Sequence, residues 1–547
     1  MEFENLAIVY NGEIYNYKEL KNELMQFGYK FLSDCDTEVV LHSYRKWGQD
    51  CVKRFNGMWA FCIYDKTKKT LFLSRDRFGT KPLYYYCDGK QFIFASGLKA
   101  IKETGSKLKI NPAGLNYFFY QKYIGDNLTI FENCCKLRPS ENLIFNLADK
   151  TLILTKYYNL AHEINKCQYT NLKNRLEAVE SIITDSVEKR LIADVPVGSF
   201  LSGGIDSSLI SAVISRKHKD FNTFSIGFKD PSYNELGFSK LVSEHIKTKH
   251  HYDYLTIDEE TIKFIIENMD EPFGDSSIIP TYLLSKIARQ KVTVCLSGDA
   301  ADEIFAGYDT YRAFLLAEFT PAFLVKLLKP LINLLPVSDK KVTPAFKMKR
   351  FVNNFTLNAN KRHLDWMATF DDTQRQKLLG NFFVDTEKII NLSSDQSFQS
   401  IQLNDISNYL AEDILKKVDL ASMLNSLEVR VPFLDYRLVP LVLSLPLKYK
   451  INAFKTKIYL KKIARKYLPK KIIKRQKRGF TVPVSGWIKN SLFIQQVLTD
   501  KSYYRHNLLN FDFIQELLCS HLENKHDNAR MLWLVFVFNY WLSKISL

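Results

Sequence analysis

The octet Leu201-Ser202-Gly203-Gly204-Ile205-Asp206-Ser207-Ser208 joins two adjacent glycines, three serine hydroxyls and one carboxylate. Glycine lets backbone come close to a ligand, and hydroxyls and unpaired N–H groups donate to an anion. A carboxylate beside a phosphate is repelled unless a divalent cation stands between them. The chemistry suggested is a polyphosphate cradle carrying its own metal ligand; a serine-rich turn capping an ordinary helix is the alternative. A second acidic segment, Ser297-Gly298-Asp299-Ala300-Ala301-Asp302-Glu303, follows the apolar run Val292 to Leu296. Three acids after a buried strand are unfavourable unless paired or metal-bound. Asp302 could complete a magnesium site with Asp206, or these acids could simply open a helix, where negative charge is favoured.

The elements needed to position these groups are legible around them. Val195, Val197, Phe200 and Leu201 read as a strand, and Ser207 to Ser215 as a helix, so the octet sits at a helix N-terminus with its unpaired amides. Asn222 to Phe228 reads as a buried strand, 240–247 as a helix, and a further strand starts at His250; His250 and His251 are expected to pack rather than ligate. A helix is expected over about 172–191. Strands alternating with helices predict a parallel, doubly wound sheet with ligands at the carboxyl ends of its strands.

The first 160 residues follow a different rhythm. A strand over 5–10 runs into Asn11-Gly12-Glu13, which reads as a turn, and helical patterns cover 16–27 and 36–47. Short strand-like runs follow at 59–64, 70–74, 83–87 and 91–95, with more between Ile130 and Tyr158. Close spacing predicts an antiparallel sheet system with flanking helices. The polar segment 161–172 reads as the boundary, giving domains at 1–160 and 172–547.

At 547 residues, 46% hydrophobic and 25% charged, the chain has the composition of a globular protein with ample core. Nine scattered cysteines without a C-x-x-C suggest a reducing cytoplasm rather than zinc or disulfides. No basic leader opens the sequence, and the apolar stretch 319–337 is too broken by Lys326, Lys329, Pro330 and Pro336 to span a bilayer. It is expected as amphipathic helices packed on the body, with no membrane partner. Net charge is +17, with fourteen Lys/Arg and no acid between Lys448 and Arg478. No aromatic-interleaved platform accompanies that run, so nucleic acid is not expected; phosphate contact by one or two of its lysines is.

In order and spacing, Asn11-Gly12-Glu13-Ile14-Tyr15-Asn16, Asp36-Thr37-Glu38-Val39 and Arg75-Asp76-Arg77-Phe78-Gly79-Thr80-Lys81-Pro82-Leu83-Tyr84 resemble the glutaminase domain of the glutamine-dependent asparagine synthetase family, class II amidotransferases. The octet resembles the pyrophosphate loop of ATP pyrophosphatases. Asp270 to Ser277, Ser297 to Tyr308, Ser426 to Asp435, Asn452 to Lys461 and Arg475 to Trp487 follow the synthetase half of the same family. The resemblance implies an α/β fold: an incomplete N-terminal-nucleophile-type α-β-β-α sandwich, then a doubly wound parallel-sheet ATP-pyrophosphatase domain with a helical C-terminal part. It also implies a glutamine site of Asn11, Gly12, Glu13 and Asp36, in which Asn11 and Gly12 form an oxyanion hole. ATP would lie with adenine near Phe200, Ile226, Ser297 and Gly298 and its phosphates on Ser202, Gly203, Gly204, Asp206, Ser207 and Ser208. Mg²⁺ would sit between Asp206 and Asp302, with Lys457 on phosphate and Asp299 taking a proton from ammonia. Lys455 is a weaker candidate than Lys457, which could instead be a solvated helix lysine.

The departures carry their own expectations. Family members begin with a cysteine whose thiol is the nucleophile, whereas this sequence begins Met1-Glu2-Phe3 and enters the pattern partway. Cys35, Cys51 and Cys62 cannot offer an α-amine beside a thiol, so the chain is expected not to hydrolyse glutamine and to use ammonia, with exposed sheet edges in its first domain. Gly97, Ala300, Ala301 and Leu420 stand where the family usually has other residues. The expected reaction is ATP-dependent amidation of aspartate to asparagine. The alternatives are a relative acting on another carboxylate such as a sugar acid, a β-lactam-forming relative, or a non-catalytic nucleotide-binding remnant. Arg430 could pair with Glu428 or bind a carboxylate. A homodimer is compatible with the sequence.

Overall fold

The computed structural model describes residues 1–167, 172–228, 234–335, 343–475 and 482–545. Residues 168–171 of the expected boundary and 476–481 of the Arg475–Trp487 motif lie outside the described residues.

The first half is built on two antiparallel sheets. One contains β1 (Glu2–Phe3), β2 (Leu6–Ile14), β3 (Gly57–Asp65) and β4 (Thr70–Arg75), with the other sheet formed by β5 (Tyr84–Cys87), β6 (Phe92–Ala95) and β7 (Cys134–Lys136). The first is completed by β8 (Glu141–Asn146) and β9 (Leu152–Lys156), in the order β1-β2-β3-β4-β8-β9; the second runs β6-β5-β7. β3 is buried on both faces, which is why its sequence is nearly unbroken apolar rather than alternating. On one side Phe61 and Trp59 meet Leu20 and Leu24 of the helix Tyr17–Gln26 and Val39 to Leu41 of the helix Asp36–Trp47. On the other, Ala60, Cys62 and Leu73 pack against Leu83 and Tyr85 at the three-stranded sheet. The far face of that sheet, with Tyr84 and Tyr86, joins a core containing the helices Pro112–Gln121 and Ala529–Ser543. The layers are helix, sheet, sheet, helix.

Asn11-Gly12-Glu13 does not turn. It continues β2, with Asn11 opposite Ala60, Gly12 opposite Trp59 and Glu13 opposite Met58. A Cβ on Gly12 would lie 2.2 Å from the Met58 carbonyl oxygen, so the glycine serves a close strand crossing. Pairing along the whole of β3 overrides the local Asn-Gly turn signal. The outer edge of β2 is covered by β1 only at Leu6 and Ala7, and Val9 beyond it is exposed. Every residue of the edge strand β6 is half-buried.

The second half holds a parallel sheet of β10 (Val197–Phe200), β11 (Asn222–Gly227), β12 (Lys249–Tyr254), β13 (Val294–Leu296) and β14 (Glu428–Arg430). Its order is β12-β11-β10-β13-β14, with helices Ile205–Ser215, Leu236–Ile246 and Ile278–Arg289 in the connections. Chain order reverses at β10. The loops leaving β10 and β13 therefore lie side by side at the carboxyl edge, where open α/β sheets bind ligands. A helical carboxyl-terminal part follows. One of its segments, Asp405–Leu415, is a π-helix that runs directly into the helix Lys416–Met423.

Candidate functional site

The loop after β10 is shaped by one glycine. Gly203 has φ +70°, and a Cβ there would meet the Phe238 and Ser239 backbone at 2.6 Å. Ser207 then folds the loop back: its Oγ accepts from the Ser202 N–H at 3.1 Å and bonds the Ser202 Oγ at 2.9 Å. The Gly204 N–H donates to the Ser202 Oγ at 3.2 Å. The helix Ile205–Ser215 begins here, and its first ladder bond is from the Ser208 N–H to the Gly204 carbonyl. The amides of Ile205, Asp206 and Ser207 thus precede the intrahelical ladder and can serve an anion. The Ser208 hydroxyl is buried with no hydrogen-bond partner among the described residues.

Asp206 and Asp302 are brought to one point by a lysine. The Lys457 Nζ lies 2.6 Å from the Asp206 Oδ2 and 2.6 Å from the Asp302 Oδ1. Lys457 is buried and caps the helix Ile458–Ala464 from a left-handed conformation, φ +51°, which costs a non-glycine residue about 1 kcal/mol. Burial works to neutralise it, but the two carboxylates outweigh burial and hold its pKa above the ordinary lysine value. Space for the contact comes from Gly307, where a Cβ would fall 1.9 Å from the Asp302 Oδ1 and 2.2 Å from the Lys457 Cε. Gly298 allows the β13 loop onto the first: a Cβ there would stand 2.5 Å from the Ser207 nitrogen. Two hard carboxylates converging on one cationic position fit a magnesium ion's oxygen preference. No cluster of three or more metal-type side chains occurs among the described residues, so any further ligands would come from phosphate and water.

Asp299 leaves β13 in the same loop. Burial raises its carboxyl above the usual aspartate range, partly offset by the Lys417 ammonium. Phe200 and Ile226 end neighbouring strands β10 and β11 at this edge, each with a small residual exposure and each in a separate apolar cluster. Ser297, nearly buried, has its N–H on the Arg430 carbonyl at 3.0 Å. Ala300, which precedes the helix Ala301–Phe305, has φ +70°.

In the first half, the Asp36 Oδ2 accepts from the Tyr10 hydroxyl at 2.8 Å and the Ile14 N–H at 2.9 Å, which ties it to the Asn11–Glu13 segment. Asn11 is exposed on β2. Glu13 is engaged by Arg430, at 3.0 Å. Arg430 also holds Glu428 at 2.6 Å, so the pairing alternative for this arginine is the one observed.

A buried ionic seam escaped the sequence reading. Glu412 meets Arg75 at 3.0 Å and Lys136 at 3.1 Å, while Lys136 reaches Glu271 at 2.9 Å. Lys122 bridges Asp275 and Asp413, each at 2.7 Å, and Lys81 holds Asp419 at 2.8 Å. Lys417 stands 3.8 Å from Asp275 and also acts on Asp299, linking the seam to the β13 loop. The available signal was the pair Glu412-Asp413 inside the apolar run Leu410 to Leu415.

Comparison with known proteins places both halves. The family model for the glutamine amidotransferase domain matches residues 1–158, and that for asparagine synthase matches residues 178–543. Asparagine synthetase (glutamine-hydrolyzing) 1 of Bacillus subtilis (strain 168) is 33% identical over 560 residues, covering 99% of this chain and 86% of that protein. Putative asparagine synthetase (glutamine-hydrolyzing) 2 of Methanocaldococcus jannaschii is 39% identical over 443 residues, covering 78% and 84%. A putative asparagine synthetase (glutamine-hydrolyzing) of Mycobacterium tuberculosis (strain H37Rv) is 29% identical over 554 residues, covering 98% and 84%.

Proposed function

The chain belongs to the asparagine synthase family of ATP-dependent carbon–nitrogen ligases, and we propose that it converts aspartate to asparagine through a β-aspartyl-AMP intermediate. The observation carrying this reading is the Lys457 ammonium shared at 2.6 Å by Asp206 and Asp302, beside a glycine-turned helix N-terminus.

The phosphates of ATP lie against the amides of Ile205, Asp206 and Ser207 and the serines of the loop, with the adenine toward Phe200, Ile226, Ser297 and Gly298. An oxygen of the aspartate β-carboxylate attacks the α-phosphorus, and the bond to the β-phosphate oxygen breaks, releasing pyrophosphate. Lys457 and the loop amides stabilise the charge that grows on the leaving group. Asp206 and Asp302 would hold Mg²⁺, which when bound supplies further neutralisation of that charge. Ammonia then attacks the acyl carbon, AMP leaves, and the half-buried Asp299 carboxylate takes the surplus proton; desolvation raises its pKa and so makes it a stronger proton acceptor.

The nitrogen that attacks in the synthetase step is ammonia. Cys51 and Cys62 are buried with thiols pushed well above their usual pKa, and the exposed Cys35 contacts the Thr37 hydroxyl at 3.2 Å and the Asp36 carboxylate at 3.7 Å. The reading keeps a domain division at 1–160 and 172–547, which the separate antiparallel and parallel sheets support.

The test is pyrophosphate and AMP release by the purified protein with ATP, Mg²⁺, ammonia and a panel of acids including aspartate and sugar acids. Stoichiometric AMP and pyrophosphate with aspartate alone is expected, with no glutamate released from glutamine. ADP as product, or turnover with a sugar acid in preference to aspartate, overturns the reading.

A further inference from the structure

The helix Ala322–Asn333 packs on the body as expected, but through a narrow face only. Val325 is its only buried residue, with Ile332 half-buried behind it. It is tied to the helix Pro344–Asn354, where Asn333 and Asn353 exchange side-chain hydrogen bonds at 3.2 and 3.3 Å. The opposite face carries Phe323, Leu327, Leu331 and, at the C-cap, Leu334, which are 67%, 69%, 64% and 81% exposed. Steps of three and four residues put these side chains on one stripe, with the exposed Leu324 and Leu328 along its side. Single exposed apolar residues are ordinary; a continuous stripe on a projecting helix marks an interaction surface.

Charge identifies the surface it fits. Lys326 and Lys329 are exposed on this helix, and neither has an ion pair among the described residues. From Thr320 to Leu364 the sequence has nine Lys/Arg and one Asp, within a chain of net charge +17. The nearby acids are engaged elsewhere: Glu318 with Arg362, and Asp309 with Arg312 and Lys347. Two copies meeting through this stripe would bring uncompensated lysines together. A projecting apolar ridge with basic residues, too short to span a bilayer, has the form that lies in the headgroup region with its apolar side chains inserted.

We propose that the stripe Phe323 to Leu334 docks the enzyme on an anionic lipid bilayer. The lipid is recognised by its apolar depth and its negative headgroups, not by a specific head. This goes beyond the amidation reaction and uses none of its residues.

The experiment is flotation of the full chain with vesicles of phosphatidylcholine alone or mixed with phosphatidylglycerol. Two lysines near a negative surface predict roughly 30-fold tighter binding to the mixed vesicles, falling with added salt. The variant F323S/L327S/L331S changes only exposed side chains; it should lose vesicle binding while AMP release in solution stays at the wild-type rate. K326E/K329E should lose the preference for phosphatidylglycerol. Equal failure of wild type and variants to bind either vesicle overturns the proposal. So does a wild-type dimer, absent in the serine variant, that ignores vesicles; the stripe would then pair with a second copy.

Discussion

The Glu13 carboxylate and the Arg430 guanidinium, 417 positions apart, meet at 3.0 Å between β2 of the antiparallel sheet and the end of β14 in the parallel one. Arg430 is fixed from behind by Glu428 at 2.6 Å and by the Arg190 and Ile192 carbonyls at 3.0 and 2.6 Å. The Tyr15 ring adds a cationic contact to Arg190, 4.5 Å from its centroid. The segment whose sequence suggests a glutamine site is therefore also a clasp between the two sheets.

That clasp titrates near neutrality. Burial is the larger influence on Glu13 and raises its pKa to about 7, although Arg430 opposes it. A carboxyl raised above its unfolded value binds more protons when folded, so its contribution is complete below about pH 4 and is lost as pH rises through 7. Glu13→Gln mimics the protonated form. It should leave stability unchanged near pH 4 and raise it by on the order of 3 kcal/mol at pH 8. Urea unfolding at the two values tests this, and an equal shift at both would contradict the assignment.

In the proposed synthetase site, Lys457 holds two acids together. Its removal in Lys457→Ala leaves Asp206 and Asp302 facing one another without the ammonium now 2.6 Å from each. Loss of an electrostatic stabiliser aimed at developing charge typically costs 10²- to 10³-fold in rate, about 3–4 kcal/mol. Aspartate-dependent pyrophosphate release should fall by roughly that factor. A variant within a fewfold of wild type would leave Lys457 as a structural cation.

Much of this site was legible because its signals are local. A strand, two glycines and a helix start within a dozen residues announced the β10 loop, and a short buried strand announced β13. What was not legible depends on distant partners. Lys122, Lys417 and Glu412 look like solvated helix charges until the fold brings Arg75, Lys136 and Asp275 against them. Asn11-Gly12 carries a turn signal that pairing with Ala60 and Trp59 overrides. The helix Ala322–Asn333 has the pattern of a core-facing element, and no sequence feature says that the body supplies only enough surface to bury Val325.

Gly307 offers a test that leaves every charge in place. A methyl group there would sit 1.9 Å from the Asp302 Oδ1 and 2.2 Å from the Lys457 Cε, so the pair must part or the loop must shift. Gly307→Ala should lower AMP formation at least tenfold and cost about 1–3 kcal/mol of stability. Gly486→Ala is the matched control, since nothing lies within 4 Å of its added Cβ and it is helical. Steady-state rates for the two variants decide; equal activity would show that the Asp302–Lys457 contact is not needed.

Lys450 ties stability to alkaline pH. It is buried, and its Nζ donates to two neutral acceptors, the Gln402 Oε1 at 2.7 Å and the Leu443 carbonyl at 3.1 Å. Gln402 in turn donates to the Glu303 carbonyl at 2.8 Å, in the helix that carries Asp302. Burial lowers the Lys450 pKa to about 7, against about 10.4 in an unfolded chain. Between those values the unfolded state holds a proton that the folded state has released, so this group makes stability rise with pH, by at most about 1.4 kcal/mol per unit. Lys450→Met removes the titration. The difference in unfolding free energy, wild type minus variant, should therefore grow by about 1 kcal/mol per unit from pH 7 to 9 and level off near 10. Parallel wild-type and variant stabilities across that range would mean that Lys450 keeps its charge inside the fold.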